Sequence, residues 1–366
     1  MENSICDFKI IKTPNRRYAN TVNLVFFRAV PLTKNFQKYV DGLKNWKNYM
    51  KYYPDCQLQV FVDEHVLKDE SIQKLLEELN ARIILFKCPE YFIQDNYHIG
   101  LFATMVRFYP LFDVNTHALK VAHIQELEPD TDFIHMFEKL DKVGNMNHGA
   151  SVIYTGNKLY QKGFTSNKYK FENNIYYPWM IAGRFSAYEK IPFKLFINYL
   201  EDIKKGKKFF NIYESVKEFA NVKKAEHGKY SFGVDEIFLN DYYLGYLIKE
   251  GKTIGILAEY TISYPVYYLE REVKKHRDSV KFFEYILNKK GNIKQLYGDF
   301  QDLFYFNYKS ERAVECGKRF YEVIEKYPNW LGHYATSVIE KLFKGYIARS
   351  CIVLIKNNKV IDIKDL

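Results

Sequence analysis

The sequence predicts an α/β protein in which a mostly parallel central sheet is flanked by helices and followed by a mainly helical C-terminal region. In the first third of the chain, short apolar runs alternate with segments of helical periodicity. Strands that alternate with helices favour a parallel sheet with right-handed crossovers. Beyond Pro265, helical periodicity dominates. We therefore expect one α/β unit in residues 1–268 and a mainly helical region in residues 269–366.

Four strands and three helices alternate in the predicted N-terminal half of the sheet. The apolar runs that predict strands are 22–27, 58–62, 82–86 and 119–125. The amphipathic segments that predict helices are 36–52, 71–79 and 101–112. Asp69 or Ser71 is the N-cap candidate of the second helix, because short polar side chains satisfy the first free N–H groups of a helix.

After residue 130 the pattern is less regular. We expect strands at 151–154 and 254–257, and helices at 195–204, 212–219 and 234–248. In the C-terminal region, helical periodicity is strongest at 280–287, 313–324 and 334–347, and the run CIVLI predicts a final strand at 351–355.

The composition favours a folded protein that binds an anionic ligand. Of the 366 residues, 47% are hydrophobic and 17% are aromatic, which is sufficient for a packed core. The net charge of +10 suits a nucleotide, a nucleic acid or a membrane surface as partner. The basic residues are scattered, however, and the densest runs, KKGKK at 204–208 and KKHR at 274–277, are typical of solvated faces.

The five cysteines indicate neither a zinc site nor a disulfide framework, because they are far apart, odd in number and contain no C-x-x-C pair. No apolar stretch approaches the roughly 18 residues that a membrane-spanning helix needs. We therefore expect a soluble, cytoplasmic protein without a transmembrane segment. Its basic surface could still dock it peripherally on a membrane.

Acidic side chains directly follow the fourth predicted strand, in the segment KVAHIQELEPDTD at 120–132. Glu126 and Glu128 would emerge together at the carboxyl end of this strand, where ligands bind in open α/β sheets. Two carboxylates at this spacing can hold one hard divalent cation, and the cation can in turn bind a diphosphate. The alternative is an ordinary polar turn closed by Pro129.

Three further segments carry candidate functional residues. GVDEIFLN places Asp235 and Glu236 at the N-terminus of a predicted helix, where they could act chemically or, for Asp235, cap the helix. The AGRF segment is by itself a turn in which Gly183 supplies a positive φ. Arg107 could meet a phosphate through two parallel hydrogen bonds, or be an ordinary surface arginine.

The order and spacing of these segments resemble the nucleotide-sugar-dependent glycosyltransferases of the GT-A fold. The matching residues are R-F-x-P-L at 107–111, the acid-x-acid element at 126–128, A-G-R-F at 182–185 and G-x-D-E-x-F-L at 233–239. The resemblance covers residues 20–268 and is closest to divergent members from large DNA viruses and some microbes.

The resemblance implies a GT-A-like, Rossmann-like domain in residues 1–268, with the mainly helical region 269–366 serving packing or interaction. It also implies a hexosyltransferase-like enzyme that moves a sugar from a nucleotide-sugar donor to a hydroxyl of a glycan or protein acceptor. For a viral protein, the expected location is the cytoplasm of the host.

Donor binding would involve residues near two strand ends, the helix before the acidic strand and the AGRF segment. Those that follow the first two strands would contact the nucleobase or ribose. The Gly183 segment would line the donor-sugar or acceptor pocket. The full set implied in donor binding is Phe27, Arg28, Asp63, Arg107, Gly183 and Arg184.

Glu126 and Glu128 occupy the place of the family's D-x-D motif, whose acids hold Mn²⁺ or Mg²⁺ and, through the ion, the donor diphosphate. Asp235 or Glu236 would lie near the transferred sugar, as general base or as stabiliser of the cationic sugar centre. Both family aspartates are glutamates here, and AEYTISYP offers only Glu259 as a third ligand. Two alternatives stay open: a metal-dependent enzyme with unusual ligands, or an enzyme in which Arg and Lys neutralise the leaving diphosphate.

Two other functions remain as alternatives. A catalytically inactive binding or structural protein with the GT-A fold would explain the altered acidic motif. A nucleic-acid-binding protein or nuclease would suit the positive charge, but the sequence contains no clustered basic-aromatic motif and no zinc finger. No specific nucleic acid is therefore expected as a partner, and the oligomeric state stays open.

Overall fold

The computed structural model describes about half of the chain in detail. The described residues are 5–14, 19–28, 36–92, 98–114, 121–128, 143, 146–152, 165–172, 176–211, 230, 232–259 and 350–365. The helices predicted at 212–219, 280–287, 313–324 and 334–347 lie outside these residues, as does the expected boundary at residue 268. Within the described ranges, no helix is long and apolar enough to span a bilayer.

A mixed sheet of ten strands organises the fold. Its strand order is β1-β4-β3-β2-β5-β9-β6-β10-β11-β12, and a separate hairpin is formed by β7 and β8. The strands are β1 (Asp7–Lys12), β2 (Asn20–Phe26), β3 (Cys56–Val62), β4 (Ala81–Lys87), β5 (Ala122–Gln125), β6 (His148–Val152), β7 (Thr165–Lys170), β8 (Tyr176–Pro178), β9 (Met180–Ala187), β10 (Ile254–Glu259), β11 (Ser350–Lys356) and β12 (Lys359–Asp365).

The four neighbouring strands β4, β3, β2 and β5 are parallel, as the alternating sequence pattern predicts. Parallel neighbours need a crossover connection. The first crossover contains α1 (Phe36–Tyr49) and a 3₁₀ turn, and the second contains α2 (Glu64–Leu67) and α3 (Glu70–Glu78). The side chain of Asp69 accepts hydrogen bonds from the first backbone N–H groups of α3, which confirms Asp69 as its N-cap.

Beyond β5 the sheet becomes mixed. β9 runs antiparallel to both β5 and β6, whereas β6 and β10 are parallel. The predicted final strand is confirmed as β11, which pairs antiparallel with β10 and with β12. The C-terminal hairpin therefore extends the same sheet that the N-terminal half begins.

Apolar side chains cover both faces of the parallel strands, and all seven residues of β3 are buried. One face packs against α1 and α3, through Trp46 and Ile72 among others. The opposite face packs against the 3₁₀ helix Phe102–Leu111 and against α4 (Lys194–Lys204), through Phe108 and Phe196. Each large apolar side chain buried in this way contributes about 1.5–3 kcal/mol. The strands are thus held between two helical layers.

β1 and the segment 101–112 differ from the sequence-based expectation. β1 was not predicted, because it is an edge strand whose residues are mostly exposed and do not alternate cleanly. The segment predicted as a helix at 101–112 is a 3₁₀ helix, which contains Pro110 and ends with the N–H of Phe112 bonded to the carbonyl of Tyr109. Pro110 lacks the N–H that a regular α-helix would use at that position.

The helix predicted at 234–248 is interrupted by a π-helical segment. It consists of α5 (Val234–Ile237), the π segment Phe238–Tyr243 and α6 (Leu244–Lys249). The side-chain amide of Asn240 donates to the carbonyls of Glu236 and Met180, and its oxygen accepts from the N–H of Met180. Asn240 therefore satisfies backbone groups of the helix and ties it to β9. Such π segments are frequent at functional sites.

A disulfide joins Cys6, which precedes β1, to Cys88, which follows β4. The cysteine spacing does not indicate this pair, because a separation of 82 residues leaves no local signal. Disulfides persist mainly in oxidising environments. The bond therefore does not support the expected cytoplasmic location.

Candidate functional site

Predicted site residues follow three parallel strands at one edge of the sheet. Phe27 and Arg28 follow β2, Asp63 follows β3, and Glu126 follows β5. Because the carboxyl ends of parallel strands meet at the same edge, these residues share one side of the molecule. This edge is the candidate functional site.

Asp63 ties two strand ends together. One carboxylate oxygen accepts the N–H of Val66 at 2.8 Å as the N-cap of α2, and the other accepts the N–H of Arg28 at 2.8 Å. The side chain is 2% exposed. Both oxygens of this predicted donor-binding residue therefore hold the protein backbone in place.

His98 lies beside Asp63 and was not predicted from the sequence. Its Nε2 is 3.4 Å from Oδ2 of Asp63, and its ring packs on Phe86 and edge-on against Phe27. A lone histidine gives no sequence signal, since only the fold brings it to the strand ends. Phe27 therefore belongs to a cluster of aromatic rings next to Asp63.

Arg28 connects the end of β2 to the start of α1. Its guanidinium lies 4.2 Å from the centre of the Phe36 ring and 3.4 Å from a carboxylate oxygen of Asp69. Stacking on an aromatic face leaves guanidinium N–H groups for other acceptors. This geometry is compatible with the predicted role in donor binding.

Glu126 lies directly over Gly183. A Cβ atom added to Gly183 would be 2.6 Å from Oε1 of Glu126 and 2.7 Å from its Cδ. The prediction that Gly183 forms a turn with positive φ is wrong, because Gly183 lies inside β9 and has no positive φ. Only glycine leaves enough space at this position, because the side chain of Glu126 occupies the volume that a side chain at position 183 would need.

Helix α1 packs closely against the backbone around Glu126 and Glu128. A Cβ added to Gly42 would be 2.5 Å from the carbonyl oxygen of Leu127, so glycine permits the close approach. The indole N–H of Trp46 is shared between the carbonyls of Glu126 and Leu127, at 3.2 and 3.1 Å. The acidic element is therefore fixed against the helix.

The first turn of α1 meets both glutamates. Nζ of Lys38 lies 2.5 Å from Oε2 of Glu128, in an ion pair whose partners are 57% and 37% exposed. Burial and, secondarily, the negative charge of Glu126 raise the pKa of Tyr39. Glu128 thus has a cationic neighbour, and Glu126 lies near a tyrosine that stays protonated at neutral pH.

Arg107 and Asp235 form a buried ion pair. Nη2 of Arg107 is 2.7 Å from Oδ2 of Asp235, and Nη1 donates to the carbonyl of Gln125 at 3.1 Å. The alternative that Arg107 is a surface residue is wrong, since the residue is only 7% exposed. The pair joins the 3₁₀ helix, the end of β5 and the start of α5.

The two acids of α5 have different partners. Gly233, with φ of 85°, is the N-cap, so Asp235 is not the capping residue. Oδ1 of Asp235 accepts the N–H of Glu236 at 3.0 Å, which leaves both of its oxygens engaged. Oε2 of Glu236 accepts the indole N–H of Trp179 at 2.7 Å. Trp179, in the segment before Gly183, was not predicted as a site residue.

Arg184 is the cross-strand partner of Gln125. It therefore follows Gly183 in β9 and lies opposite the residue that precedes Glu126. Arg184 is half-buried. The structure therefore brings the predicted residues into two neighbouring groups. Phe27 and Asp63 contact His98, and Arg28 bonds Asp63 through its backbone N–H. The other group contains Arg107, Glu126, Gly183, Arg184 and Asp235.

The residues that would hold Mn²⁺ or Mg²⁺ are Glu126 and Glu128. Among the residues that the structure describes, no group of three or more His, Cys, Asp or Glu side chains comes together to hold a metal ion. Glu128 is already paired with the ammonium of Lys38. Mg²⁺ requires near-octahedral oxygen coordination. The described donor set does not by itself fit a divalent cation.

No protein-family model matches the chain, and no curated protein matches it. The candidate site is therefore defined by its geometry.

Proposed function

We propose that the protein is a glycosyltransferase that moves a sugar from a nucleotide-sugar donor to a hydroxyl acceptor on a glycan or protein. The observation that carries this proposal is the Arg107–Asp235 ion pair. It joins the start of α5 to the strand end that bears the acidic element. Motifs far apart in the sequence thus meet where ligands bind in α/β sheets.

Within this proposal, Glu236 is the acid that acts on the reacting groups. The residue is 6% exposed, and its carboxylate accepts a hydrogen bond from Trp179. A carboxylate held in this way can accept the proton of an acceptor hydroxyl or stabilise a cationic sugar centre. Asp235, whose oxygens are engaged by Arg107 and by backbone, holds Arg107 at the strand end.

The donor's nucleoside would bind at the other group of residues. Phe27 supplies partly exposed aromatic surface, which packs against the buried ring of His98, and Arg28 supplies a cation stacked on Phe36. Aromatic faces and a planar guanidinium are groups that bind nucleobases and phosphates. The net charge of +10 favours encounter with an anionic donor.

Slow donor hydrolysis tests the proposal. The full chain is incubated with a panel of nucleotide sugars, and the released nucleoside diphosphate is measured with and without Mn²⁺. We expect turnover of at least one donor, and a loss of roughly 10²- to 10⁴-fold in Glu236→Gln. The matched control is Glu201→Gln, on the exposed face of α4, which should retain activity.

The alternative is a binding protein that keeps the architecture without the activity. Its support is that Asp235 and Glu128 already have cationic partners inside the protein. Such a protein would be stabilised by a nucleotide sugar in a thermal-shift assay but would hydrolyse none. Absence of turnover with every donor in a folded sample would reject the enzymatic proposal.

A further inference from the structure

We propose that Lys38 is the resident cation of the Glu126–Glu128 element and that a diphosphate binds there through its ammonium group, without a divalent metal ion. The inference rests on the proposed function in one respect, because it takes the ligand to be the diphosphate of a nucleotide-sugar donor. It concerns a residue that no motif in the sequence indicates.

A stripe of α1 faces the acidic element. Lys38, Gly42 and Trp46 are spaced four residues apart, which places them on one side of a helix. Gly42 allows the carbonyl of Leu127 to approach, and Trp46 donates to the same carbonyl at 3.1 Å. Lys38 is the first member of this stripe, so the packing of its helix fixes it beside Glu128.

The contact between Lys38 and Glu128 is close, and both side chains are partly exposed although the contacting oxygen of Glu128 is itself buried. Nζ meets Oε2 at 2.5 Å as an ion pair, although the two groups are not aligned as a regular hydrogen bond. An ammonium group carries three N–H donors. One contact with Glu128 leaves N–H groups of Lys38 that can donate to phosphate oxygens. The lysine side chain is 57% exposed, which leaves room for a ligand.

A divalent ion at the same place would have to displace this ammonium. Glu128 is engaged by Lys38, while the side chain of Glu126 packs directly over Gly183. Partly exposed ion pairs are weak, so Lys38 can turn from Glu128 toward an incoming phosphate. Lysine binds phosphate as a point charge.

Inorganic pyrophosphate is the probe for the test. Its binding to the full chain is measured by isothermal titration calorimetry, once in EDTA and once in Mn²⁺. We expect the unmodified protein to bind in EDTA. Lys38→Met should weaken this binding by about tenfold or more, as loss of a charge-assisted contact does, and Mn²⁺ should restore part of it.

Lys44→Met is the matched control. Lys44 lies on the same helix, is similarly exposed at 55% and pairs with Asp41 at 3.1 Å, away from the glutamates. It should bind pyrophosphate like the unmodified protein, and Lys38→Arg should keep most of the affinity because it keeps the charge.

Two results would overturn the inference: binding by the unmodified protein that requires Mn²⁺, or unchanged binding by Lys38→Met in EDTA. Donor hydrolysis separates this failure from that of the proposed function. Hydrolysis that requires Mn²⁺ would keep the glycosyltransferase and remove the role of Lys38. Metal-free pyrophosphate binding that depends on Lys38, without turnover of any donor, would keep the role of Lys38 and reject the glycosyltransferase.

Discussion

The indole N–H of Trp179 donates to Oε2 of Glu236 over 2.7 Å, and the tryptophan residue is only 1% exposed. The bond joins the residue before β9 to the first turn of α5. It fixes one oxygen of the carboxylate that we propose acts on the substrate. Trp179 is therefore a positioning residue whose effect passes through Glu236.

Trp179→Phe should lower kcat roughly tenfold to 100-fold, because a hydrogen bond to a charged group contributes about 1.5–3 kcal/mol. KM for the donor should change little. The measurement is steady-state donor hydrolysis, repeated in the Glu236→Gln background. If Trp179 acts through Glu236, the second substitution adds almost no further loss; full additivity would show a general packing role.

Gly183→Ala should destabilise the protein by about 1–3 kcal/mol, the usual cost of overpacking, because the new methyl group would overlap the side chain of Glu126. Urea unfolding measures the loss. The overlap involves a side chain and not backbone, so Gly183→Ala should cost much less in a Glu126→Ala background. Equal costs in both backgrounds would contradict the assigned contact.

Breaking the Arg107–Asp235 pair from one side should be costly. Arg107→Met leaves Asp235 as a buried carboxylate without its cation, and such changes cost about 3–5 kcal/mol. The free energy of unfolding from urea titration is the readout. Lys44→Met, which breaks an exposed pair, should cost less than about 1 kcal/mol. Similar losses in the two variants would show that the Arg107 pair is not desolvated.

Acid should destabilise the fold through His148. Burial lowers the pKa of His148 below 6.5, partly offset by Glu189, whose Oε1 lies 3.1 Å from Nε2. The hydroxyl of Tyr243 contacts Nδ1, and Lys252 pairs with Glu189. A neutral imidazole with its proton on Nε2 satisfies both contacts, with Tyr243 donating to Nδ1.

The sign follows from the unfolded chain, which takes up a proton on this histidine near pH 6.5 whereas the folded protein resists it. The contribution of the neutral His148 to stability is therefore complete above pH 6.5 and falls as the pH drops below it. The hydrogen bond with His148 is the main cause that lowers the pKa of Glu189 to about 2, which adds a second loss as the pH falls below 4.5. Melting temperature from pH 8 to 4 is the measurement. His148→Gln should flatten the upper part of the curve, and an unchanged slope there would exclude His148 as its source.

The sequence predicts best what local periodicity encodes. β2, β3, β4, α1 and α3 are confirmed close to their predicted bounds, because apolar repeats and the Asp69 cap are local signals. The strand β9 was missed, since Gly183 indicates a turn unless the position of Glu126 is known. The packing of Glu126 on Gly183 depends on the tertiary fold, and the local sequence around Gly183 does not indicate it.

The candidate site shows the same division. Glu126, Asp235 and Glu236 were selected by their positions at a strand end and a helix start, and the structure gives them those positions. Lys38 and Trp179 were not selected, because each acquires its partner only through the packing of a separate element. Arg107 was selected, but its burial depends on Asp235, which lies 128 residues further along the chain.

The pairing of β10 with β11 sets an order on biosynthesis. β10 ends at Glu259 and its partner begins at Ser350, so the ribosome must make the whole of segment 260–349 before this edge can close. At about 5–20 residues per second, that interval lasts roughly 5–20 s. During it, the outer edge of β10 would present unpaired backbone groups to other nascent chains. A cell that makes this protein therefore has a defined window in which a chaperone on that edge would raise the folded yield.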